Sequence, residues 1–191
     1  MTTPTLVLAS ASPRRLALLA QIGIVPDCVI STDIDESALA DELPRHHARR
    51  LARAKMTAAP VSGAYVLAAD TVIALGRRVL PKAATEADAQ GCLTVLSGRR
   101  HLVLTSVVLR SPDGRFGERL VESVVGFARL TERQIAAYLA SEEWRGKAGG
   151  YAIQGRAAAF IRFLSGSYSN VVGLPLFETA QLLRGLGWPM V

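Results

Sequence analysis

An α/β fold around a mixed sheet is the architecture this 191-residue sequence predicts. Two observations carry the prediction. Short apolar runs alternate with stretches of helical periodicity along the whole chain, and no internal repeat or low-complexity linker interrupts them. Half of the residues are hydrophobic and 20% are charged, a globular composition. The length suits a single domain, residues 1–191, with one sizeable core.

Leu6 to Ala9 is an apolar run followed by Ser10-Ala11-Ser12-Pro13, and Leu16, Leu18, Leu19 and Ile22 then recur on a helical stripe as far as Gly23. This is strand, turn, helix. Val29 and Ile30 suggest a second strand, and Pro44 opens a helix through about Ala59, which Pro60 and Gly63 end. Tyr65 to Leu75 reads as a buried strand, with Gly76-Arg77 as a hairpin turn before Val79 and Leu80. Thr85 to Leu96 is helical by composition. Leu102 to Leu109 is an apolar strand closed by the turn Ser111-Pro112-Asp113-Gly114, and a further strand follows over Val121 to Phe127. Thr131-Glu132-Arg133-Gln134 has the form of a capping box and starts a helix to about Ala140. Ala158 to Leu164 fits a strand, Ser165 to Gly173 a loop, and Pro175 starts a final helix that Gly185 or Gly187 stops.

Composition also excludes classes. The longest apolar stretches are interrupted by Asp70 and fall far short of the roughly 20 residues of a membrane span. The N-terminal Met1-Thr2-Thr3-Pro4-Thr5 has neither a basic region nor a secretory-length apolar one, which predicts a cytoplasmic protein. Cys28 and Cys92 are far apart and lack zinc-ligand spacing, so neither a disulfide framework nor a structural zinc is expected. A net charge of +6 favours anionic partners without saying which.

Several residues break their local pattern. Arg14 and Arg15 fall in the first turn of a helix that Ser12 would cap, the wrong end for cations, where their removal should cost no stability. Free amides, the helix dipole and two guanidinium forks would together suit phosphate oxygens; two solvated arginines are the bland alternative. Asp70 interrupts apolar sequence on the same strand face as Val66, Ala68 and Val72, where a carboxylate must be paired, hydrogen-bonded or metal-bound. Lys55 continues the apolar stripe of Ala48, Leu51 and Ala52, and either points inward or snorkels along it. Asp33, Asp35 and Glu36 form a cluster that would supply hard oxygen ligands to Mg²⁺ or Mn²⁺, or be a polar loop. His46, His47 and His101 sit in no nucleophilic or zinc-binding motif, and Walker, dinucleotide and nucleophile-elbow signatures are absent from the sequence.

Five ordered motifs give the chain a specific likeness: Leu8 to Arg15, Ala69-Asp70-Thr71-Val72, Leu96-Ser97-Gly98-Arg99, Lys147 to Gly155, and Gly166 to Leu176. Together they resemble the Maf family of nucleoside triphosphate pyrophosphatases, over Leu8 to about Leu183. The resemblance implies an elongated two-lobed sheet with flanking helices and a central cleft, similar to inosine triphosphatases and often dimeric, and a nucleoside triphosphate substrate. It makes Asp70 the catalytic acid/base residue and, with Glu36, a metal-associated carboxylate for a divalent cation. It makes Arg14, Arg15, Lys55 and Lys82 phosphate ligands, and Ser10, Thr71 and Gln154 the rest of the pocket. Arg14, Thr71 and Gln154 fall at positions tied to substrate choice. Around Lys82 the order is Leu80-Pro81-Lys82-Ala83 where many relatives have Gly-Lys-Pro, which puts that loop's backbone path in question.

Gln154 resembles the branch that prefers dTTP and UTP, and a primary amide offers the donor and acceptor that match the carbonyl and N3–H edge of thymine and uracil. Two rival readings remain. Arg45, Arg49, Arg50 and Arg53 crowd one helix and would suit nucleic acid, although no aromatic residue accompanies them and a solvated face has the same spacing. A non-catalytic regulator of cell division is the other, because the family took its name from inhibition of septum formation; the intact charged site argues against it.

Overall fold

The computed structural model describes residues 4–190, so that Met1 to Thr3, part of the N-terminal stretch read above for targeting, and Val191 lie outside it. Among the described residues, seven strands form one mixed sheet: β1 (Leu6–Ala9), β2 (Cys28–Val29), β3 (Tyr65–Leu75), β4 (Arg78–Leu80), β5 (Arg100–Arg110), β6 (Phe116–Phe127) and β7 (Ile161–Ser165). The order across it is β2-β1-β3-β5-β6-β7, with β4 also paired to β3. Six α-helices accompany the sheet: α1 (Pro13–Gln21), α2 (Pro44–Ala58), α3 (Glu86–Leu96), α4 (Glu132–Leu139), α5 (Tyr168–Val172) and α6 (Leu176–Gly185). The predicted α/β class and mixed sheet are present. No helix among the described residues is long and apolar enough to cross a membrane.

The opening strands decide where a site can form. β1 pairs in parallel with β2 on one side and with β3 on the other, so the chain leaves β1 through α1 towards one edge and returns through α2 to the other. Such a reversal of strand order opens a crevice at the carboxyl end of the central strand. Alternation along the strands feeds two cores. Leu6, Leu8, Leu67 and Ala69 pack with Leu18 and Leu19 of α1, whereas Val7, Ala9, Val66 and Ala68 pack with Ala52 of α2.

β3 is longer than its neighbours on one edge. Its residues from Tyr65 to Ala68 pair with β1 and those from Ile73 to Leu75 with β4, while β5 covers the opposite edge from Val66 to Ala74. Among the described residues, no strand covers the first edge between Ala69 and Val72. Asp70 and Thr71 occupy this gap, one facing each side of the sheet.

Three boundaries differ from the sequence expectation. β6 begins at Phe116 instead of Val121, because the hairpin with β5 pairs through its whole length, from Arg110 with Phe116 to Arg100 with Gly126. The expected strand from Ala158 opens instead as a 3₁₀ helix over Arg156–Phe160, and β7 starts only at Ile161. The expected loop over residues 165–173 contains α5, whose N-cap Ser167 accepts from the Asn170 amide and whose Val171 and Val172 are buried. Local pattern is weak in both places, since Ala-rich and Ser-rich pentapeptides have no period of their own. Thr131 forms the expected capping box with Gln134, and Thr85 forms another with Asp88, each worth about 1 kcal/mol to its helix.

Candidate active site

The gap in β3 forms part of a cavity of about 320 Å³ lined by residues from the β1–α1 turn, β3, α2, the Lys82 loop, residues 146–154 and the end of α5. Every residue that the resemblance assigns to the site lies on it: Ser10, Arg14, Arg15, Glu36, Lys55, Asp70, Thr71, Lys82 and Gln154. The two faces of the sheet contribute different chemistry.

On the α2 side, Asp70 is buried with only 2% of its surface exposed, and Lys55 points inward rather than snorkelling. Lys55 Nζ donates to Asp70 Oδ1 at 2.5 Å and contacts Glu36 Oε1 at 2.7 Å. Lys82 also donates to Glu36. Burial pushes the Glu36 carboxyl up, but hydrogen bonds from Lys55 and Lys82 and their charges outweigh it and hold it at about 2. Asp33 and Asp35 are exposed and do not line the cavity, and Asp35 caps Ser37 instead, so the acidic cluster resolves into one site residue and a polar loop.

The low value for Glu36 has a pH consequence. A carboxyl held from 4.5 down to about 2 in the folded protein gives stability that is complete above 4.5 and lost as pH falls towards 2. Glu42 and Asp113 are also held at about 2, by Arg50 and by Ser111 with Arg115 respectively, so the effect must be read as a difference. The stability gap between wild type and Glu36→Gln in urea unfolding should narrow as pH is lowered from about 6 to about 3. A gap that stays constant would show that the lysines do not hold this carboxylate.

On the α1 side the arginines separate. Arg15 is buried and turned into the protein: Nε donates to the Gly173 carbonyl at 2.8 Å, Nη1 to Ser10 Oγ at 2.8 Å and Nη2 to Thr71 Oγ1 at 3.3 Å. Gly173 ends α5 at φ +136°, a conformation that favours glycine and that aims its carbonyl at the guanidinium. Arg14 is half-buried, with Nε donating to Val172 O at 3.3 Å, and its terminal nitrogens have no partner among the described residues. Burial lowers the pKa of both, and for Arg15 the charge of Asp70 opposes the shift. Ser12 is the N-cap of α1 by position, but its hydroxyl does not cap it. Of the two guanidinium forks, that of Arg14 keeps both terminal nitrogens without a partner among the described residues, while that of Arg15 makes three hydrogen bonds within the protein.

The loop carrying Lys82 is settled by strand pairing. Lys82 bridges Ala148, the Gly149 amide donates to Pro81 O at 3.0 Å, and the Ala83 amide donates to Lys147 O at 3.1 Å. The unusual Leu80-Pro81-Lys82 order is thus accommodated, because proline contributes only the carbonyl that this pairing needs. Gly150, at φ +68°, turns the chain where an added Cβ would lie 3.1 Å from Ala89 Cα. The same turn brings Lys147 to the cavity, a residue that sequence reasoning missed. Lys147 is half-buried, and burial together with the nearby Arg14 charge lowers its pKa. Its only sequence signal was membership of a motif, since a loop lysine carries no period.

Five cations, Arg14, Arg15, Lys55, Lys82 and Lys147, thus line the cavity with two carboxylates, Glu36 and Asp70. A partly desolvated surplus of positive charge is a receptor for a polyanion of several charges. The basic face of α2 is different. Arg45 pairs with Glu122 at 2.7 Å, Arg49 and Arg53 with Glu118 at 3.2 and 2.6 Å, and Arg50 with Glu42 at 2.7 Å. Each arginine of that helix has a carboxylate partner, with Glu118 serving both Arg49 and Arg53.

The chain matches the family described as "Maf-like protein" over residues 5–186. It is 62% identical to a protein from Granulibacter bethesdensis named "dTTP/UTP pyrophosphatase", covering 96% of this chain and 93% of the relative. Proteins of the same name from Caulobacter vibrioides and Gluconobacter oxydans are 62% and 64% identical, over 97% and 95% of this chain and 97% and 87% of theirs. Among solved structures, a HAM1 protein from Coxiella burnetii superposes with a TM-score of 0.50 at 18% identity, covering 96% of this chain and all of that one, a likeness of fold.

Proposed function

The chain belongs to the Maf family, and from that premise we propose that it is a nucleoside triphosphate pyrophosphatase, cleaving dTTP and UTP to the monophosphate and pyrophosphate in the cytoplasm. The single observation that carries the proposal is a buried carboxylate, Asp70, set in a gap of the sheet edge within a cation-lined cavity. Relatives covered almost end to end at about 60% identity are named for that reaction.

The chemistry follows from the residues. Water attacks the α-phosphorus, the bond from that phosphorus to the bridging oxygen breaks, and pyrophosphate departs with the bond's electron pair. Arg14, Lys82 and Lys147 face the cavity and neutralise the phosphate oxygens; Lys55, between Asp70 and Glu36, orients the carboxylates. Asp70 Oδ1 is occupied by Lys55, which leaves Oδ2, without a partner among the described residues, to accept the proton of the attacking water.

A divalent metal, Mg²⁺ or Mn²⁺, belongs to the proposal, and the donor set fits one. Glu36 and Asp70 already converge on one cationic atom, at 2.7 and 2.5 Å. The described residues hold no group of three or more His, Cys, Asp or Glu suited to a metal, and Mg²⁺ asks only one or two carboxylates when phosphates supply further oxygens. The ion would therefore arrive with the triphosphate, held by Glu36 and Asp70, and supply charge neutralisation to the phosphates.

Pyrophosphate release from UTP, dTTP, CTP, ATP and GTP tests the proposal, with chelator and with added Mg²⁺ or Mn²⁺. UTP and dTTP should lead the panel, and chelation should abolish release. Rates untouched by chelator would remove the metal, and no release from any triphosphate would defeat the enzyme itself. Gln154, exposed at the cavity rim, meets the base, so Gln154→Ala should lower kcat/KM for UTP about tenfold, one hydrogen bond's worth. Equal values for every triphosphate in the wild type would end the pyrimidine preference and leave the pyrophosphatase standing.

A further inference from the structure

A pyrimidine preference needs a group that tells the N3–H of uracil from the bare N3 of cytosine, and Gln154 alone is a poor candidate. No protein group among the described residues hydrogen-bonds its amide, and a free amide turned by 180° presents donor and acceptor in exchanged places, matching either base. The discriminating polarity must come from a group that cannot turn.

Such a group lies behind the cavity wall. Thr71 Oγ1 is 2.9 Å from Thr105 Oγ1, its cross-strand partner on β5, and Thr105 Oγ1 donates to the Asn170 carbonyl at 3.0 Å. Thr105 and Asn170 are fully buried. Asn170 is held by its own bonds, Nδ2 donating to Ser123 Oγ at 2.9 Å and to Val103 O at 3.2 Å. A threonine hydroxyl has one proton. Thr105 gives its proton to Asn170, so across the 2.9 Å contact it can only accept, and the donor there is Thr71. The reverse arrangement would set Thr105 and the Asn170 carbonyl 3.0 Å apart with no proton between them. It would also leave the Thr71 proton to the cavity or, at 3.4 Å, to Gly173 O, which Arg15 Nε already serves at 2.8 Å.

We infer that Thr105 is a positioning residue that fixes Thr71 as a hydrogen-bond acceptor towards the base, and that this one-way relay from Thr71 through Thr105 to Asn170 is a determinant of uracil and thymine over cytosine. Thr71 lines the cavity; its proton is committed to Thr105 and one lone pair to Arg15 Nη2, which leaves one lone pair for a ligand. That lone pair accepts an N–H and repels a bare ring nitrogen. The cost of the mismatch is an unpaired polar contact in a desolvated site, where discrimination is large. The inference rests on the pyrimidine reading given above.

The test is the ratio of kcat/KM for UTP to that for CTP in wild type, Thr105→Val and Thr105→Ser. Valine keeps the shape but releases the Thr71 proton, so the ratio should fall about tenfold, whereas serine restores the acceptor and should stay within about twofold of wild type. A ratio unchanged in Thr105→Val, or a serine variant that falls as far as valine, would overturn the relay. Wild type that cleaves UTP and CTP alike would sink the pyrimidine reading and the relay together, a result distinct from the other two. Neutron diffraction from deuterated wild-type crystals checks the relay without any variant: the Thr71 deuteron should lie on the line to Thr105 Oγ1, and a deuteron aimed at Gly173 O or into the cavity would refute it.

Discussion

Asp70→Asn should lower kcat by about a thousandfold, within the range that a positioned acid/base residue contributes, while leaving the folded protein intact. The amide retains the size of the carboxylate and still offers Oδ1 to Lys55, and Lys55 keeps Glu36 as a counter-ion at 2.7 Å. What disappears is the ability to take a proton at the second oxygen and one of the two negative charges beside the phosphates. Since burial and hydrogen bonding survive, thermal unfolding should stay close to that of wild type, so a rate loss cannot be assigned to misfolding. Steady-state pyrophosphate release and a melting curve on the same preparation settle the matter. A near-native rate in the Asn variant would remove Asp70 from the mechanism, and a collapsed melting curve would make it a structural residue first.

Arg15→Ala should destabilise the protein by about 3 kcal/mol, a fall in Tm of roughly 6–12 °C for a chain of this size. The helix-terminus argument from sequence predicts no cost, because cations disfavour that position. Tertiary structure reverses the sign. The guanidinium ties the β1–α1 turn at Ser10, the gap residue Thr71 and the end of α5 at Gly173 by three hydrogen bonds, and its removal leaves three buried or half-buried acceptors without that donor. Each such acceptor costs about 1–3 kcal/mol, and relief from burying a charge offsets part of the sum. Arg14→Ala is the control: it loses one 3.3 Å bond, so its Tm should stay near wild type while KM for the triphosphate rises. Equal Tm values for the two variants would show that Arg15 is not the tie between these three segments.

Much of this site was legible before any coordinates, for a physical reason. Asp70 between Ala69 and Thr71, and Lys55 on an apolar helical stripe, violate patterns of period two and period 3.6, and a charge that breaks such a pattern must be compensated somewhere. The structure compensates them with each other, 15 residues apart in the chain. Lys147, Thr105 and Asn170 were invisible to that reasoning. A lysine in a glycine-rich loop violates nothing, and a threonine in a β-strand is an ordinary strand former.

Local pattern alone specified the α/β class, the strand from Tyr65 to Leu75 and the helix that Thr131 caps, because hydrophobic period, proline and cap chemistry act within a few residues of one another. It also marked Asp70 as a charge carried into the interior. How the charged residues share the work came from the fold, since that depends on partners far apart in the chain. Strand order left Asp70 and Thr71 in an uncovered stretch of edge, Lys82 was drawn in by a bridge to Ala148, and the carbonyl of Gly173, 158 residues along the chain, tied Arg15 to the end of α5. Burial sets the demand for a partner, and the chain's path through the sheet sets which partner answers it.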